Sequence, residues 1–207
     1  MKRRIAAIIL ALMVMTGSQA VFAEDAVSSA TVDISSVPTI QESDEATTLV
    51  IYFSTNDTVK AVALNAADAI GADVFEIVPE QSYTEEDLAY YTDGRCDKEQ
   101  ADDSARPGIA GWPGTLEQYD VIFIGYPIWH GQAPKILYTL LEGIDVSGKT
   151  VVPFCTSMSS GAGSSADNLA KLTDDTTTWL QATRMDNQIT ADQVQDWAVS
   201  ALEEAAE

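Results

Sequence analysis

The sequence predicts an α/β domain with a doubly wound, mostly parallel five-stranded sheet and helices on both faces. Apolar, β-branched runs of strand length alternate along the chain with segments of helical periodicity. The apolar runs are continuous, which is typical of strands buried on both faces of a parallel sheet. Strands and helices that alternate in this way favour a sheet covered by helices on each side.

The predicted strands share a continuous apolar centre. They are residues 48–54 (TLVIYFS), 72–78 (ADVFEIV), 120–126 (DVIFIGY), 149–157 (KTVVPFCTS) and, as a possible fifth strand, 176–185 (TTTWLQATRM). A long polar stretch separates the second strand from the third.

The predicted helices each have one apolar face. The first helix ends at Gly71, a second runs from Pro134 to Glu142, and a short one lies near 165–172. The last helix begins with a capping box from Thr190 to Gln193. The apolar positions of the first and last helices are Val59, Val62, Ala63, Ala66 and Ile70, and Val194, Trp197, Ala198, Ala201, Leu202 and Ala205.

Two segments precede the single domain, which spans residues 47–207. Three basic residues, Lys2 to Arg4, come before a short apolar run, and small residues then lead to a cleavage site after Ala23. This pattern predicts a secretory signal peptide over residues 1–23, with a retained membrane anchor as the alternative. Residues 24–46 are rich in Ser, Asp and Glu and are predicted to be a flexible linker. The protein is expected to be secreted or periplasmic, without membrane contact after cleavage.

The chain is strongly acidic, with 11 Lys and Arg against 32 Asp and Glu and a formal charge of −21. Residues 1–23 hold three basic residues and no acidic ones, so their removal leaves 8 basic and 32 acidic residues, a charge of −24. This balance argues against nucleic-acid binding, which needs basic contacts to phosphates. It favours either solubility alone or encounter with basic partners.

Cysteine usage gives little support to a metal centre. Cys96, Cys155 and the single His130 are too few for the usual four-ligand structural zinc site. Cys155 lies in an apolar run, where a buried free thiol is ordinary. We expect no disulfide and no metal, and the absence of a GxSxG motif gives a serine hydrolase little support.

Three loops that directly follow predicted strands form the candidate site: Ser54–Thr58, Tyr126–Gly131 and Thr156–Ser164. In doubly wound sheets, ligands bind at the carboxyl ends of the strands, near the point where the strand order reverses. The first loop is suited to an anion at a helix N-terminus, although the same residue types also cap helices. The third is rich in small hydrogen-bond donors that could wrap the edge of a ring, but it could also be only a mobile loop.

The second loop presents Trp129 and His130 between prolines and a glycine. Trp129 could stack on a planar heterocycle, or it could cover the edge of the core, since tryptophan is often partly buried. His130 could modulate the pH dependence of a neighbouring ligand, or it could be a surface bystander.

Several motifs, taken together and in order, resemble the flavodoxin-like family. They are YFS…T, DVIFIGYPIW, SGKTVVPFCTS and GAGSS, with the long polar insert YTEEDLAYYTDGRCDKEQADDSARPGIAG, so that the resemblance covers the domain from about Thr48 to the C-terminus. It implies an exported bacterial domain that binds FMN non-covalently, with the phosphate on the first loop, the ring against Trp129 and the polar ring edge on the second and third loops. The cofactor-binding residues it implies are Ser54, Thr55, Asn56, Asp57, Thr58, Val59, Pro127, Ile128, Trp129, His130, Gly131, Thr156, Ser157, Gly161 and Gly163; no catalytic residue is implied.

The first loop departs from the family pattern. Such loops usually carry Thr-Gly where this chain has Asn56-Asp57, and often a second Thr in place of Val59. Asp57 would place a carboxylate beside a phosphate dianion, and like charges repel. Asp57 could instead cap the helix and take the anion's position, while Lys60 in the next turn would partly offset its charge.

The resulting hypothesis is an exported, FMN-dependent electron carrier with a redox partner that has a basic surface. Acidic surroundings predict a low potential for the fully reduced flavin. The alternatives are an FMN-dependent reductase of quinones or other small acceptors, and a flavodoxin-like binding module without a cofactor. The substitution Asp57→Gly distinguishes the electron carrier from the module without a cofactor. Flavin binding that appears only in the variant would indicate the module.

Overall fold

The computed structural model describes residues 47–186 and 188–207. The predicted signal peptide and linker therefore lie outside the described residues. No helix in the described part of the chain is long and apolar enough to cross a membrane.

In the described part of the chain, six strands form one parallel sheet, in the order β2-β1-β3-β4, with β5 and β6 both paired to β4. Their bounds are β1 Thr48–Tyr52, β2 Asp73–Glu76, β3 Val121–Pro127, β4 Thr150–Thr156, β5 Thr178–Trp179 and β6 Thr183–Met185. The chain runs outward from β1 to β2 and then returns to the other side of β1 to form β3. The strand order therefore reverses between β1 and β3, and the predicted doubly wound fold is confirmed.

The predicted fifth strand is divided into β5 and β6, which differs from the single run expected over 176–185. The carbonyl of Val151 accepts a hydrogen bond from the N–H of Leu180, so Val151 points its backbone groups toward this edge strand. Pro153, two residues further along β4, points the same way and has no N–H to donate. The ladder is interrupted at this point and resumes where Phe154 pairs with Thr183.

Helices cover both faces of the sheet, because alternate residues of each strand point to opposite sides. On one face, Val50 and Tyr52 pack with α1 (Asp57–Ile70) and α6 (Ala191–Ala205). On the other face, Leu49 and Ile51 pack with α4 (Lys135–Gly143) and α5 (Ser165–Ala170). The predicted capping box is present at α6, where the Thr190 N–H lies 3.0 Å from Gln193 Oε1.

The polar insert between β2 and β3 contains two short helices, α2 (Glu85–Leu88) and α3 (Arg95–Ala101). Neither was expected, because α2 buries no residue and α3 buries only Cys96, so the sequence has no helical apolar period there. The insert is held by Tyr83, whose hydroxyl donates to Glu99 Oε2 at 2.6 Å and whose ring lies 4.1 Å from the Arg95 guanidinium carbon.

Candidate functional site

A cavity of about 830 Å³ opens at the carboxyl ends of β1, β3 and β4, beside the point where the strand order reverses. All three predicted loops contribute to it, together with the polar insert. The lining residues are Thr55, Asn56, Thr58, Tyr90, Tyr91, Pro127, Ile128, Trp129, His130, Gly131, Thr156, Ser157, Met158, Ser159 and Ser160.

The remaining predicted residues lie outside this lining. They are Ser54, Asp57, Val59, Gly161 and Gly163. The Val59 side chain is buried in the core between α1 and the sheet. The Ser54 hydroxyl donates a hydrogen bond to the carbonyl of Asn56 and so stabilises the conformation of the first loop.

The first loop forms the N-terminus of α1, and its cap is Asn56 rather than Asp57. The Asn56 amide oxygen accepts a hydrogen bond from the Thr58 N–H at 3.0 Å. Asp57 is the first residue of the helix and is exposed, and its negative charge there is favourable to the helix dipole. Lys60, expected to offset Asp57, instead lies 3.2 Å from the Glu76 carboxylate.

The second loop is a two-residue turn centred on His130 and Gly131. Trp129 and Gln132 exchange both backbone hydrogen bonds at 2.9 Å, and the two central residues have φ of +48° and +78°. Positive φ at both positions is what a type I′ turn requires. The turn brings His130 to the cavity at the cost of a left-handed conformation that non-glycine residues rarely adopt.

Trp129 is mostly buried, which favours the second of the two roles considered for it, that of covering the edge of the core. Its residue surface is only 5% exposed, and its ring makes edge contacts with Phe53 at 5.5 Å and with Tyr83 at 5.1 Å. Because these partners lie just after β1 and in the insert, the indole packs against the core at this point, and Trp129 is also among the residues that line the cavity.

The third loop is tied to the second by side chains. The Gln132 amide donates to Ser164 Oγ at 3.2 Å and accepts from Asn168 at 2.7 Å. Beneath the loop, the Tyr126 hydroxyl lies 3.0 Å from Ser165 Oγ, which donates to the carbonyl of Ala162 at 2.7 Å. Burial raises the pKa of Tyr126 above its usual range, so this phenol stays protonated and the bond persists.

Tyr90 and Tyr91, in the insert, are lining residues that sequence reasoning missed. Met158, Ser159 and Ser160 lie within the predicted third loop, although they were not named individually among the cofactor-binding residues. The insert lies between β2 and β3 and does not directly follow a predicted strand. The expectation that ligands bind at strand ends therefore did not point to it. The adjacent tyrosines in an otherwise polar segment were the only signal of their role.

Among the described lining residues none is Asp, Glu, Lys or Arg. Arg184 donates to the carbonyl of Ser157 at 3.0 Å but is not among the residues that line the cavity. Hydroxyl groups, backbone amides and aromatic rings therefore dominate the chemistry of the cavity.

Both cysteines are buried, unpaired thiols. Burial raises the pKa of Cys96 to about 12 and that of Cys155 to about 11, so neither is a reactive thiolate near neutral pH. In residues 47–186 and 188–207, no group of three or more His, Cys, Asp and Glu side chains is placed to hold a metal ion.

A family model for flavodoxin matches residues 47–201, which is nearly all of the described domain. The chain belongs to the flavodoxin family. A candidate flavoprotein from Bacteroides eggerthii is 36% identical to this flavodoxin-family chain, with a TM-score of 0.69; the match covers 78% of this chain and 99% of the other. A second, from Bacteroides uniformis, is 34% identical with the same TM-score and covers 73% of this chain and 97% of the other.

A more distant structure is a flavoprotein from Lactobacillus acidophilus in complex with FMN. It is 17% identical, has a TM-score of 0.53, and covers 78% of this chain and 99% of its own, so the likeness concerns the fold. None of the curated proteins compared matches the chain.

Proposed function

We propose that this flavodoxin-family protein binds FMN in the cavity at the β1–β3 switch point and carries electrons outside the cytoplasm. The observation that supports this most is the place of the cavity: it lies where sheets of order 2-1-3-4-5 bind flavin mononucleotide. The FMN found in the Lactobacillus acidophilus structure is consistent with this ligand class.

The phosphate end of FMN fits the N-terminus of α1. This helix is 14 residues long, and its N-terminal N–H groups and dipole favour an anion. Thr55 and Thr58 line the same end of the cavity and offer hydroxyl donors. None of the described residues that line this end of the cavity has a cationic side chain, so we expect the phosphate to be held by neutral hydrogen bonds.

The ring end fits an uncharged, planar group. Tyr90, Tyr91, Ile128 and Met158 supply aromatic and apolar surface, and the segment Ser157–Ser160 supplies backbone amides and hydroxyls for a polar ring edge. This combination of an apolar slot with a few convergent polar groups is typical of cofactor sites.

When bound, FMN supplies the redox chemistry by accepting and giving up electrons. The chain's own residues bind and orient it: α1 anchors the phosphate, and the insert and the third loop bound the ring. The hydrogen bonds of Gln132 with Ser164 and Asn168 hold the turn of the second loop against the third loop and α5. The closed core at Trp129 excludes water from beneath the cavity.

Asp57 and Asn56 set the expected affinity. The Thr58 N–H already donates a hydrogen bond to the Asn56 amide oxygen, so the phosphate must compete with this neutral side chain for the N–H. The exposed Asp57 carboxylate adds electrostatic repulsion of the phosphate, which the solvent screens. Asp57→Asn should therefore tighten FMN binding by less than about tenfold, since exposed charge pairs contribute about 1 kcal/mol or less.

FMN titration of wild type, Asp57→Asn and Asp68→Asn tests the proposal, with flavin fluorescence as the readout. Asp68 is an exposed carboxylate further along α1, so Asp68→Asn makes the same charge change away from the cavity and should bind FMN as the wild type does. Binding that appears only in Asp57→Asn would favour the cofactor-less module. No binding in any of the three would reject FMN as the ligand.

Export is tested on protein recovered from outside the cytoplasm of the producing cell. Mass spectrometry should give an N-terminus at Glu24, which follows the cleavage site predicted in the sequence. Recovery of intact Met1 protein in the membrane fraction would favour the retained anchor instead.

A further inference from the structure

The insert places an unusually exposed aromatic ring at the cavity. Tyr91 is 90% exposed, although it is a large and largely apolar residue, and it lines the cavity that the three strand-end loops also line. Its φ of +62° is uncommon for a bulky residue, and such conformations persist only where the surroundings enforce them.

The enforcing contacts come from Asp97 on α3. One carboxylate oxygen accepts hydrogen bonds from the N–H groups of Thr92 at 2.8 Å and Asp93 at 3.0 Å, the two residues that follow Tyr91. The other oxygen lies 2.8 Å from Nε2 of His130. Burial alone would raise the pKa of Asp97, but these hydrogen bonds hold it below its usual range, so the carboxylate is ionised near neutral pH and keeps all of these contacts.

His130 completes the contact from the side of the strand-end turn. Its ring meets the edge of Tyr90 at 4.6 Å and of Tyr91 at 5.5 Å, and the side chains of His130 and Asp97 are only 23% and 15% exposed. The Tyr90 hydroxyl donates to the carbonyl of Ile128 at 3.2 Å, in the second loop just before this turn.

The three non-glycine residues with positive φ in the described chain all belong to this contact. They are Tyr91, Asp93 and His130. Backbone conformations that are individually unfavourable are therefore concentrated where the insert meets the second loop, and nowhere else among residues 47–186 and 188–207.

Gln100 fixes the insert from the other side. Its amide nitrogen donates to the carbonyls of Trp129 at 3.1 Å and Ala133 at 3.2 Å, and its oxygen accepts from the Lys135 N–H at 3.1 Å. These hydrogen bonds connect the insert to residues on both sides of the turn, so the insert forms a rigid side of the cavity.

We propose that Tyr91 is the aromatic residue against which the flavin ring stacks, and that His130 and Asp97 are positioning residues that hold it there. This inference rests on the proposed FMN binding and assigns the ring contact to the insert rather than to the buried Trp129. The inference also gives the insert a function. Its tyrosine favours ligands with a planar aromatic ring, whether or not the ligand carries a phosphate.

The test compares FMN with riboflavin, which has the same ring and no phosphate, by equilibrium titration of the folded protein. Tyr91→Ala should weaken both ligands by the same factor of about ten, because loss of one aromatic stacking partner costs roughly that much affinity. Tyr91→Phe keeps the ring and should stay within about twofold of the wild type. Leu64→Ala removes an exposed apolar side chain of α1, outside the cavity, and should have no effect.

The positioning role is tested by a double-mutant cycle. His130→Asn removes the imidazole but tolerates positive φ, so the turn is kept. It should weaken both flavins in the wild-type background and change neither further in the Tyr91→Ala background, because its effect passes through Tyr91. Additive losses would contradict the positioning role, since they would show that His130 acts independently of Tyr91.

The outcomes separate this inference from the proposed function. If the wild type binds neither flavin, FMN binding itself fails and the inference fails with it. If the wild type binds both and Tyr91→Ala binds them equally well, FMN binding stands and Tyr91 is not the stacking residue. If Met158→Ala weakens both ligands and Tyr91→Ala does not, the ring contact belongs to the third loop and the inference is overturned.

Discussion

Gly125, in the middle of β3, shows how a single residue can be required by its neighbour on the next strand. It pairs in register with Phe154 of β4, and a Cβ at Gly125 would lie 2.2 Å from that ring. Phe154 is fully buried and packs against Trp197 at 5.4 Å, so it cannot move aside. Gly125→Ala should therefore destabilise the fold by about 1–3 kcal/mol, the usual cost of overpacking a core.

Gly143 offers a matched control. A Cβ there would also meet a ring at 2.2 Å, that of Trp112, but Trp112 is 46% exposed and can swing into solvent. Gly143 ends α4, where alanine is favoured over glycine by roughly 0.5–1 kcal/mol. Urea unfolding should show a large loss for Gly125→Ala and a change within about 1 kcal/mol for Gly143→Ala; equal losses would mean that burial of the clashing ring does not decide the outcome.

Trp129 marks the limit of prediction at this scale. The sequence placed it correctly in a loop after a strand, but could not tell which of two roles it has. Its edge contacts are with Phe53 and Tyr83, which are distant in sequence, and one of them lies in an insert whose conformation has no periodic signal. The capping by Asn56 instead of Asp57 is a similar case, since either residue type can cap a helix.

At the scale of elements, the loop before β5 depends on one carboxylate. Asp174 Oδ1 accepts hydrogen bonds from the Thr176 N–H at 2.8 Å and hydroxyl at 2.6 Å, and its other oxygen accepts one from Ser147. These bonds lower the pKa of Asp174 from 3.8 to about 2. A folded-state pKa below the unfolded one adds stability that is complete above the unfolded pKa and is lost as the pH falls through the folded pKa.

Asp174→Asn should therefore be less stable than the wild type at pH 6, and the difference should shrink as the pH falls from 4 toward 2. Thermal unfolding of both proteins across this range measures the difference. Asp175→Asn makes the same charge change at a neighbour that takes part in none of these bonds, and should show no such pH-dependent gap. A gap for Asp174→Asn that stays constant down to pH 2 would contradict the assigned role.

Elements were predictable where apolar periodicity was strong. The first four strands and the helices α1, α4, α5 and α6 follow from it, with bounds within a few residues. The division of the fifth strand was not foreseen, because the pattern of this segment does not show that it would lie beside Pro153, which has no N–H to donate, nor that its register would shift by one residue between Trp179 and Thr183. The insert's helices were missed because their stability comes from tertiary contacts such as Tyr83–Glu99.

For the whole molecule, the dominant feature is its charge of −21, or −24 without residues 1–23. Self-repulsion at this charge destabilises the compact state, and salt screens it. The unfolding temperature should rise when NaCl is increased from low to about 0.5 M, where the screening length falls to a few ångströms. KCl should give the same rise if screening is the cause, and an unfolding temperature that does not rise with either salt would contradict this account.

The same charge bears on the proposed redox role. Acidic surroundings oppose the added negative charge of a fully reduced flavin, so its potential should lie below that of free FMN and should rise with salt. Potentiometric titration at two salt concentrations measures both effects. A potential at or above that of free FMN would mean that the cavity's neutral donors outweigh the surface charge.

The absorption spectrum of the purified protein, starting at Glu24, before and after addition of FMN is the most direct test of the central claim. We predict the bands of oxidised flavin, retained by the protein through gel filtration. A colourless protein that releases all added FMN on the column would contradict flavin binding, and with it the assignment of the cavity at the β1–β3 switch point.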